Sequence, residues 1–109
     1  MKHHTKVYMD FFNYEAGDFI PCEMECGAAA VDVHHLTKQS KFGKKKEKDF
    51  IENLCGLCRD CHIKADSDGM FNMFARIRHL ENVCFQIFGL IEINKKVKKL
   101  DESRKNTNK

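Results

Sequence analysis

Two pairs of cysteines have the spacing of metal-binding knuckles. Cys22 and Cys26 have three residues between them, and Cys58 and Cys61 have two. Knuckles from distant parts of a chain can surround one ion with four thiolates, and four thiolates form the closed tetrahedral set of structural zinc. The pattern therefore predicts a structural Zn²⁺ site, with buried free cysteines as the alternative.

Histidines are concentrated beside these knuckles. His34 and His35 are adjacent between the two cysteine pairs, and His62 directly follows the second pair. Imidazole can ligate a metal ion or act as a base near neutral pH, so this grouping indicates a functional centre. Asp32 is predicted either to accept a hydrogen bond from a ligating histidine or to face solvent. The remaining histidines lack such a context and are predicted to be surface residues: His3, His4 and His79.

The residues around these histidines resemble a known family. The run Val33-His34-His35-Leu36, followed by NLCGLCRDCH from Asn53 to His62, closely resembles the HNH endonucleases with flanking zinc cysteines. The resemblance covers residues 19–66. It implies an α+β fold of the ββα-metal (His-Me finger) type, in which two short antiparallel strands and a helix hold a catalytic divalent cation.

The resemblance also implies a role for each matching residue. His35 corresponds to the general base, His34 and His62 to ligands of the catalytic cation, and Asn53 to the residue that braces the loop between the strands and so orients the base. Many members have aspartate where this chain has His34, and a second imidazole shifts the metal preference from Mg²⁺ toward Mn²⁺, Ni²⁺, Co²⁺ or Zn²⁺. Asp66 replaces a further histidine of some members and is an additional candidate ligand.

Basic residues are concentrated in two segments. Residues 38–48 carry six lysines against Glu47, and residues 94–109 carry seven basic residues against two acidic ones, so each segment has a net charge of +5. The whole chain has a net charge of only +3, so the remainder is acidic. Such segments favour a polyanionic partner, with plain solvated segments as the alternative. We predict DNA as the partner, with phosphate contacts from the loop lysines Lys38, Lys41, Lys44, Lys45 and Lys46.

The pattern of apolar residues predicts the elements around the site. A strand is expected to end near the two adjacent histidines, an exposed loop to cover Thr37 to Lys48, and a strand or turn to follow Phe50. Residues 1–14 fit a short strand or a helical turn equally well. Cys55 and Cys84 are predicted to have packing roles only.

A long helix is predicted from about residue 68 to residue 93, because apolar residues alternate spacings of three and four there. The sequence DSDG before it offers several N-cap residues. The apolar stripe is predicted to pack on the core, with a homodimer interface through residues 70–91 as the alternative. Residues 94–109 are expected to form a flexible basic tail.

Length and composition restrict the class of protein. The 109 residues, 42% of them hydrophobic, suffice for one domain, assigned to residues 1–93. No stretch approaches about 18 consecutive apolar residues, and the start MKHHTKVYMDFF is unlike a signal peptide. We therefore expect no membrane association and a cytoplasmic location, the host cytoplasm if the gene belongs to a phage.

These observations, together with the family resemblance, predict a metal-dependent HNH endonuclease that hydrolyses DNA. The resemblance implies products with 5′-phosphate and 3′-hydroxyl ends. The enzyme is expected to need structural Zn²⁺ and one catalytic divalent cation (Mg²⁺, Mn²⁺, Ni²⁺, Co²⁺ or Zn²⁺), and no small-molecule cofactor. Two alternatives remain open: a zinc-stabilised DNA-binding module without cleavage activity, and an assembly protein that dimerises through its long helix.

Overall fold

The computed structural model describes the backbone of residues 1–38 and 45–107, and the side chains of residues 1–38 and 47–89. Within these residues the elements are α1 (His3–Phe12), β1 (Asp32–His35), β2 (Leu54–Leu57), α2 (Arg59–Ser67) and α3 (Gly69–Thr107), with two short 3-10 helices at Lys45–Lys48 and Ile51–Asn53. The predicted mixed architecture, with a two-stranded antiparallel sheet and a long C-terminal helix, is confirmed. Residues 1–14 contain a helix, so the strand alternative is wrong for this segment.

The two strands place the adjacent histidines next to the molecular core. β1 and β2 pair antiparallel, with His34 opposite Cys55 and His35 opposite Leu54. All of β2 is buried, whereas β1 is only partly covered. The loop beyond β1 is tied to β2 because the Leu36 N–H donates to the carbonyl of Asn53 at 2.9 Å. β1 thus holds its histidines at the edge of the core.

Helix α1 packs directly on β2. The ring of Tyr8 lies so close to Gly56 that a Cβ atom at Gly56 would be 2.5 Å from the Tyr8 hydroxyl oxygen. Glycine is required at this position because any side chain would displace α1 from the sheet. This contact brings the first turn of α1 toward the end of β1.

Side-chain caps stabilise the N-terminal ends of α2 and α3. Cys58 is the N-cap of α2, and its Sγ accepts a hydrogen bond from the Cys61 N–H at 3.4 Å. Asp68 follows α2, and its carboxylate accepts from the N–H groups of Met70 and Phe71 at 3.0 and 3.3 Å. Within the predicted DSDG capping sequence, Asp68 is therefore the residue that caps α3.

The face of α3 that packs inward is not the predicted apolar stripe. Ala75, His79 and Val83 are buried, one turn apart. The prediction that the stripe packs on the core is wrong, because buried polar groups of other elements are satisfied by histidine and asparagine side chains on the opposite face of α3. The residues of the stripe that remain exposed are Met70, Met73, Ile77, Leu80, Cys84 and Ile87.

Two further predictions need comment. Cys55 is fully buried in the core, in agreement with its predicted packing role, whereas the same prediction for Cys84 is wrong because that side chain is exposed. The predicted helix end at residue 93 is also corrected, since the backbone remains helical to Thr107. Residues 94–107 contain neither proline nor glycine, and six of them are lysine or arginine, which are good helix formers.

Candidate metal centres and the histidine cleft

The four predicted cysteines lie together in one cluster. Cys22 and Cys26 come from the turn before β1, and Cys58 and Cys61 from the first turn of α2. Their Sγ atoms all lie within 4.8 Å of one another, and those of Cys26 and Cys58 are 3.6 Å apart. Only Cys26 is exposed. The cluster can hold a metal ion and would tie the segment before the sheet to α2.

The thiols of this cluster have unequal pKa values. A hydrogen bond from the backbone at Ala28 and contacts with Cys58 and Cys22 lower the pKa of Cys26 to about 7. Burial raises the pKa of Cys22 and of Cys61. Four adjacent thiolates repel one another unless a cation compensates them, so this donor set fits tetrahedral zinc.

A second cluster contains the predicted cation ligands His34, His62 and Asp66. His34 is buried on β1, while His62 and Asp66 are one turn apart on α2. One ligand atom from each lies within 4.8 Å of the others. His34 Nδ1 is 3.6 Å from Asp66 Oδ1, and His62 Nε2 is 3.4 Å from Asp66 Oδ2. The three side chains therefore converge on one small volume.

The other nitrogen of each imidazole in this cluster has a fixed partner. His34 Nε2–H donates to Asn72 Oδ1 at 2.7 Å, and His62 Nδ1–H donates to Asp32 Oδ2 at 2.9 Å. His34 Nδ1 and His62 Nε2 thereby keep an unprotonated lone pair beside Asp66, which is the usual arrangement of ligating histidines. Burial lowers the pKa of His34 and favours its neutral form, the form that binds metal.

Asp32 thus occupies the first of its two predicted positions, beside a histidine. Asn72 was not identified from the sequence. It lies 38 residues from His34, and asparagine has no distinctive spacing that would connect the two positions. The Asn72 amide also donates to the carbonyl of Leu36 at 3.0 Å, which fixes its orientation.

His35, the predicted general base, is the last residue of β1 and directly follows His34. Its Nε2–H donates to Asp49 Oδ1 at 2.8 Å, so Nδ1 is the nitrogen able to accept a proton. His3 Nδ1–H donates to the second oxygen of Asp49, also at 2.8 Å. Burial alone raises the pKa of Asp49, but the bonds from His3 and His35 outweigh it and keep the carboxylate ionised.

Sequence reasoning missed the environment of His35. His3 and His4 were predicted to be plain surface residues, yet the His4 ring packs edge-on against His35 with centroids 4.8 Å apart. No sequence pattern indicated a role for Asp49, which directly follows the lysine-rich segment. These contacts depend on the packing of α1 against the sheet, which local sequence patterns do not reveal.

Asn53 is fully buried and connects the two ends of the loop between the strands. Its Oδ1 accepts from the Thr37 N–H at 2.7 Å, and its Nδ2 donates to the carbonyls of Thr37 and Lys48 at 3.0 and 2.9 Å. Because Asp49 follows Lys48 directly, Asn53 also fixes the position of the carboxylate that holds His35. This geometry matches the bracing role implied by the family resemblance.

One cleft of about 550 Å³ contains most of these side chains. His35 lines it together with the three residues of the second cluster. Lys2, Lys38 and Lys48 also line it, and Lys2 was not predicted. The predicted phosphate contacts Lys41 and Lys44, and the side chains of Lys45 and Lys46, lie outside the described residues. An open cleft with imidazoles, two carboxylates and lysines suits a phosphate-containing substrate.

Comparison of the chain with protein-family models, with curated proteins and with solved structures finds no match. No helix among the described residues combines the length and the apolar content that a membrane crossing requires. The functional interpretation consequently depends on the chemistry of the clusters themselves.

Proposed function

We propose that this protein is a metal-dependent endonuclease of the HNH type that hydrolyses phosphodiester bonds in DNA. The observation that carries the proposal is the shared cleft. It contains His35 with Nδ1 free to accept a proton, and beside it the converging ligands His34, His62 and Asp66. Hydrolysis of a phosphodiester needs a general base and positive charge near the phosphate, and this cleft would provide both.

His34, His62 and Asp66 fit a divalent cation, since two imidazoles and one carboxylate are a common donor set. Such a cation would supply positive charge against the extra negative charge that the phosphate oxygens gain during hydrolysis. The imidazoles favour Mn²⁺, Ni²⁺, Co²⁺ or Zn²⁺ over Mg²⁺. The order of β1, β2 and α2 around this cluster supports a ββα-metal fold, with structural Zn²⁺ on the four cysteines.

The remaining side chains would position the reactants. His35 would take the proton of the attacking water on Nδ1, while Asp49 holds the Nε2–H and stabilises the imidazolium that forms. Asn53 would keep Asp49 and the loop in place. Lys48 would contact phosphates at the edge of the cleft. The expected products carry 5′-phosphate and 3′-hydroxyl ends.

DNA is the proposed partner because Lys38 and Lys48, two of the three lysines that line the cleft, belong to the basic segment 38–48. Lysine contacts with phosphates give affinity that falls steeply with salt and carries little sequence information. A zinc-stabilised DNA-binding module would use the same lysines and cysteines. It would have no use for an imidazole base beside three converging cation ligands, so that arrangement favours the nuclease.

The direct test is cleavage of supercoiled plasmid at low salt by wild-type protein, by His35→Ala and by the control Lys64→Ala, which changes an exposed lysine of α2. Each is titrated with Mg²⁺, Mn²⁺, Ni²⁺, Co²⁺ or EDTA, and circular dichroism monitors folding. Loss of the general base should reduce the cleavage rate by about 10²–10⁴-fold. Retained DNA binding with no cleavage by wild-type protein in any metal would instead establish the binding module.

A homodimer through α3 is a second proposal, and it depends on the exposed stripe. Met70, Ile77 and Cys84 are seven residues apart, as are Met73, Leu80 and Ile87, which is the a/d pattern of a coiled coil. All six are exposed in the single chain. A second copy of α3 would cover them without displacing any residue of the cleft.

Sedimentation velocity tests the dimer directly. We expect wild-type protein to sediment as a dimer, and Ile77→Glu to sediment as a monomer because a carboxylate would be buried at the centre of the interface. Glu81→Lys, an exposed change outside the a/d positions, serves as the control. A wild-type monomer at all concentrations would contradict the proposal.

A further inference from the structure

A third cluster of metal-ligating side chains lies at the end of the cleft where α1 meets the loop. It consists of His4 from the first turn of α1, His35 from β1, and Asp49. One ligand atom from each lies within 4.8 Å of the others. His35 Nε2 is 2.8 Å from Asp49 Oδ1, and the rings of His4 and His35 are in edge contact.

Plain structural roles leave part of this cluster unexplained. The Asp49 carboxylate accepts hydrogen bonds from His35 and His3, which accounts for both of its oxygens. Among the described residues, no hydrogen-bond partner faces the ring nitrogens of His4, although that side chain is half-buried. A partly buried imidazole with a ring nitrogen within 4.8 Å of ligand atoms of another imidazole and a carboxylate has the geometry of a ligand set.

We propose that His4, His35 and Asp49 form a second cation site in the cleft, selective for zinc-like ions. Two imidazoles and one carboxylate suit Zn²⁺, Co²⁺ or Ni²⁺, whereas Mg²⁺ and Ca²⁺ prefer oxygen ligands. Lys2 and Lys48 line the same cleft and repel any cation electrostatically. Only an ion that gains strongly from bonds to nitrogen would bind there, which adds to the selectivity.

Occupancy of this site would inactivate the base of the proposed reaction, and this consequence rests on the proposed function. His35 faces Asp49 through Nε2. A neutral imidazole bound to a metal through Nε2 carries its proton on Nδ1. Nδ1 could then no longer accept a proton from water. Zinc at high concentration is therefore expected to inhibit the enzyme that a cation in the neighbouring cluster activates.

The number of bound ions tests the site without any activity measurement. The experiment uses His62→Ala, which disables the neighbouring cluster, and measures Zn²⁺ per chain by calorimetry and elemental analysis. We expect two ions per chain, one on the cysteines and one on the new site. The variant His62→Ala/His4→Ala should bind one fewer, whereas the control His62→Ala/Lys6→Ala, changed at an exposed residue of the same helix, should bind as many as His62→Ala.

Equal zinc content in the His4→Ala and Lys6→Ala double variants would overturn the proposal. Unchanged thermal unfolding of each variant excludes general damage to the fold, since alanine is well tolerated in a helix. Cobalt absorption spectra provide a second measurement, because tetrahedral nitrogen and oxygen ligation differs from the intense thiolate bands of the cysteine cluster. Loss of the weaker bands only in the His4→Ala variant supports the site.

An activity measurement then tests the consequence. Cleavage with Mn²⁺ is titrated with Zn²⁺ for wild-type protein and for His4→Ala, each relative to its own maximum rate. The zinc concentration that halves the rate should rise at least about tenfold in His4→Ala, the size of effect expected from losing one ligand. Zinc binding that requires His4 in a protein that never cleaves DNA would leave the site standing and refute the nuclease.

Discussion

The interior of this protein and its cleft both pair histidine with a carboxylate, but in opposite ways. In the interior, His79 is fully buried and both of its ring nitrogens donate, Nδ1 to Glu23 at 2.8 Å and Nε2 to the carbonyl of Ile51. Glu23 also accepts from Tyr8, from Asn82 and from the backbone of β2. Both oxygens of Glu23 and both ring nitrogens of His79 therefore have partners within the interior.

In the cleft, each imidazole of the second cluster has one nitrogen held and one nitrogen turned toward a shared volume. His34 is held by Asn72 and His62 by Asp32, and both then face Asp66 at distances too long for a good hydrogen bond. A histidine with both nitrogens satisfied stabilises the fold, whereas one with a fixed, unsatisfied nitrogen is prepared for a ligand. The two roles of histidine are therefore distinguished by how many ring nitrogens have a hydrogen-bond partner, and not by the residue type.

The pKa of Glu23 reflects how completely the interior network is satisfied. Burial alone raises the pKa of this carboxyl group. The hydrogen bond and charge of His79, together with Asn82 and the Gly56 N–H, more than offset burial and hold the pKa below its ordinary value. The carboxylate therefore stays ionised in the interior, and removal of its partner leaves a buried charge uncompensated.

The largest predicted effect comes from replacing one histidine by alanine in each region and comparing the loss of stability. His79→Ala should lower the free energy of unfolding by about 3–5 kcal/mol, because the Glu23 charge is left buried and unpaired. His62→Ala should cost about 1 kcal/mol or less, since its pair with Asp32 is partly exposed. Urea unfolding measures both.

For cation binding in the cleft, the order of the two effects should be reversed. His62→Ala is expected to lose cation binding in the cleft, and His79→Ala to retain it in whatever fraction remains folded. Equal losses of stability would show that the interior and the cleft do not differ as proposed.

The sequence predicted what depends on short-range spacing. The cysteine quartet follows from the spacing of two knuckles, whereas the antiparallel pair of strands and the grouping of His34, His62 and Asp66 were implied by the family resemblance. The knuckle spacing brings its cysteines together however the rest of the chain packs, and residues four apart on α2 necessarily share a face.

The sequence could not predict what depends on distant packing. His79 was predicted to be a surface residue, yet its partner Glu23 lies 56 residues away along the chain. The face that α3 turns inward was mistaken for the same reason. Apolar periodicity selected the Met70 to Ile87 stripe, but the need to satisfy Glu23 and the Leu36 carbonyl placed polar residues of α3 inside.

The next largest effect concerns Asn53. This residue is buried like the interior network, but it positions residues of the cleft. Asn53→Ala removes three hydrogen bonds that join Thr37 and Lys48, and should lower the free energy of unfolding by about 2–3 kcal/mol. It should also reduce cleavage at temperatures where the variant is still folded, because Asp49 no longer holds His35 firmly. Full cleavage activity in the folded variant would refute the bracing role.

Two asparagines on α3 permit a matched comparison of smaller effects. Asn72 accepts from His34 in the cleft, whereas Asn82 donates to Glu23 in the interior. Asn72→Ala should weaken cation binding by about 10–100-fold, the usual consequence of removing the partner of a ligating histidine. Asn82→Ala should instead lower stability by about 1 kcal/mol and leave cation affinity unchanged. Calorimetric titration and thermal unfolding of both variants distinguish the two roles, and a loss of cation affinity in Asn82→Ala would contradict the assignment.

The smallest predicted effect concerns long-range charge at the edge of the cleft. Lys48 lines the cleft, whereas Lys64 is an exposed lysine of α2 outside the cleft. If Lys48 contacts a phosphate, Lys48→Ala should reduce the slope of log affinity against log salt by about 1, and Lys64→Ala should leave it unchanged. Fluorescence anisotropy with a short DNA duplex at several salt concentrations measures both slopes. Equal slopes for the two variants would mean that DNA does not approach the cleft from this edge, because a phosphate contact there must release a counterion that a remote lysine cannot.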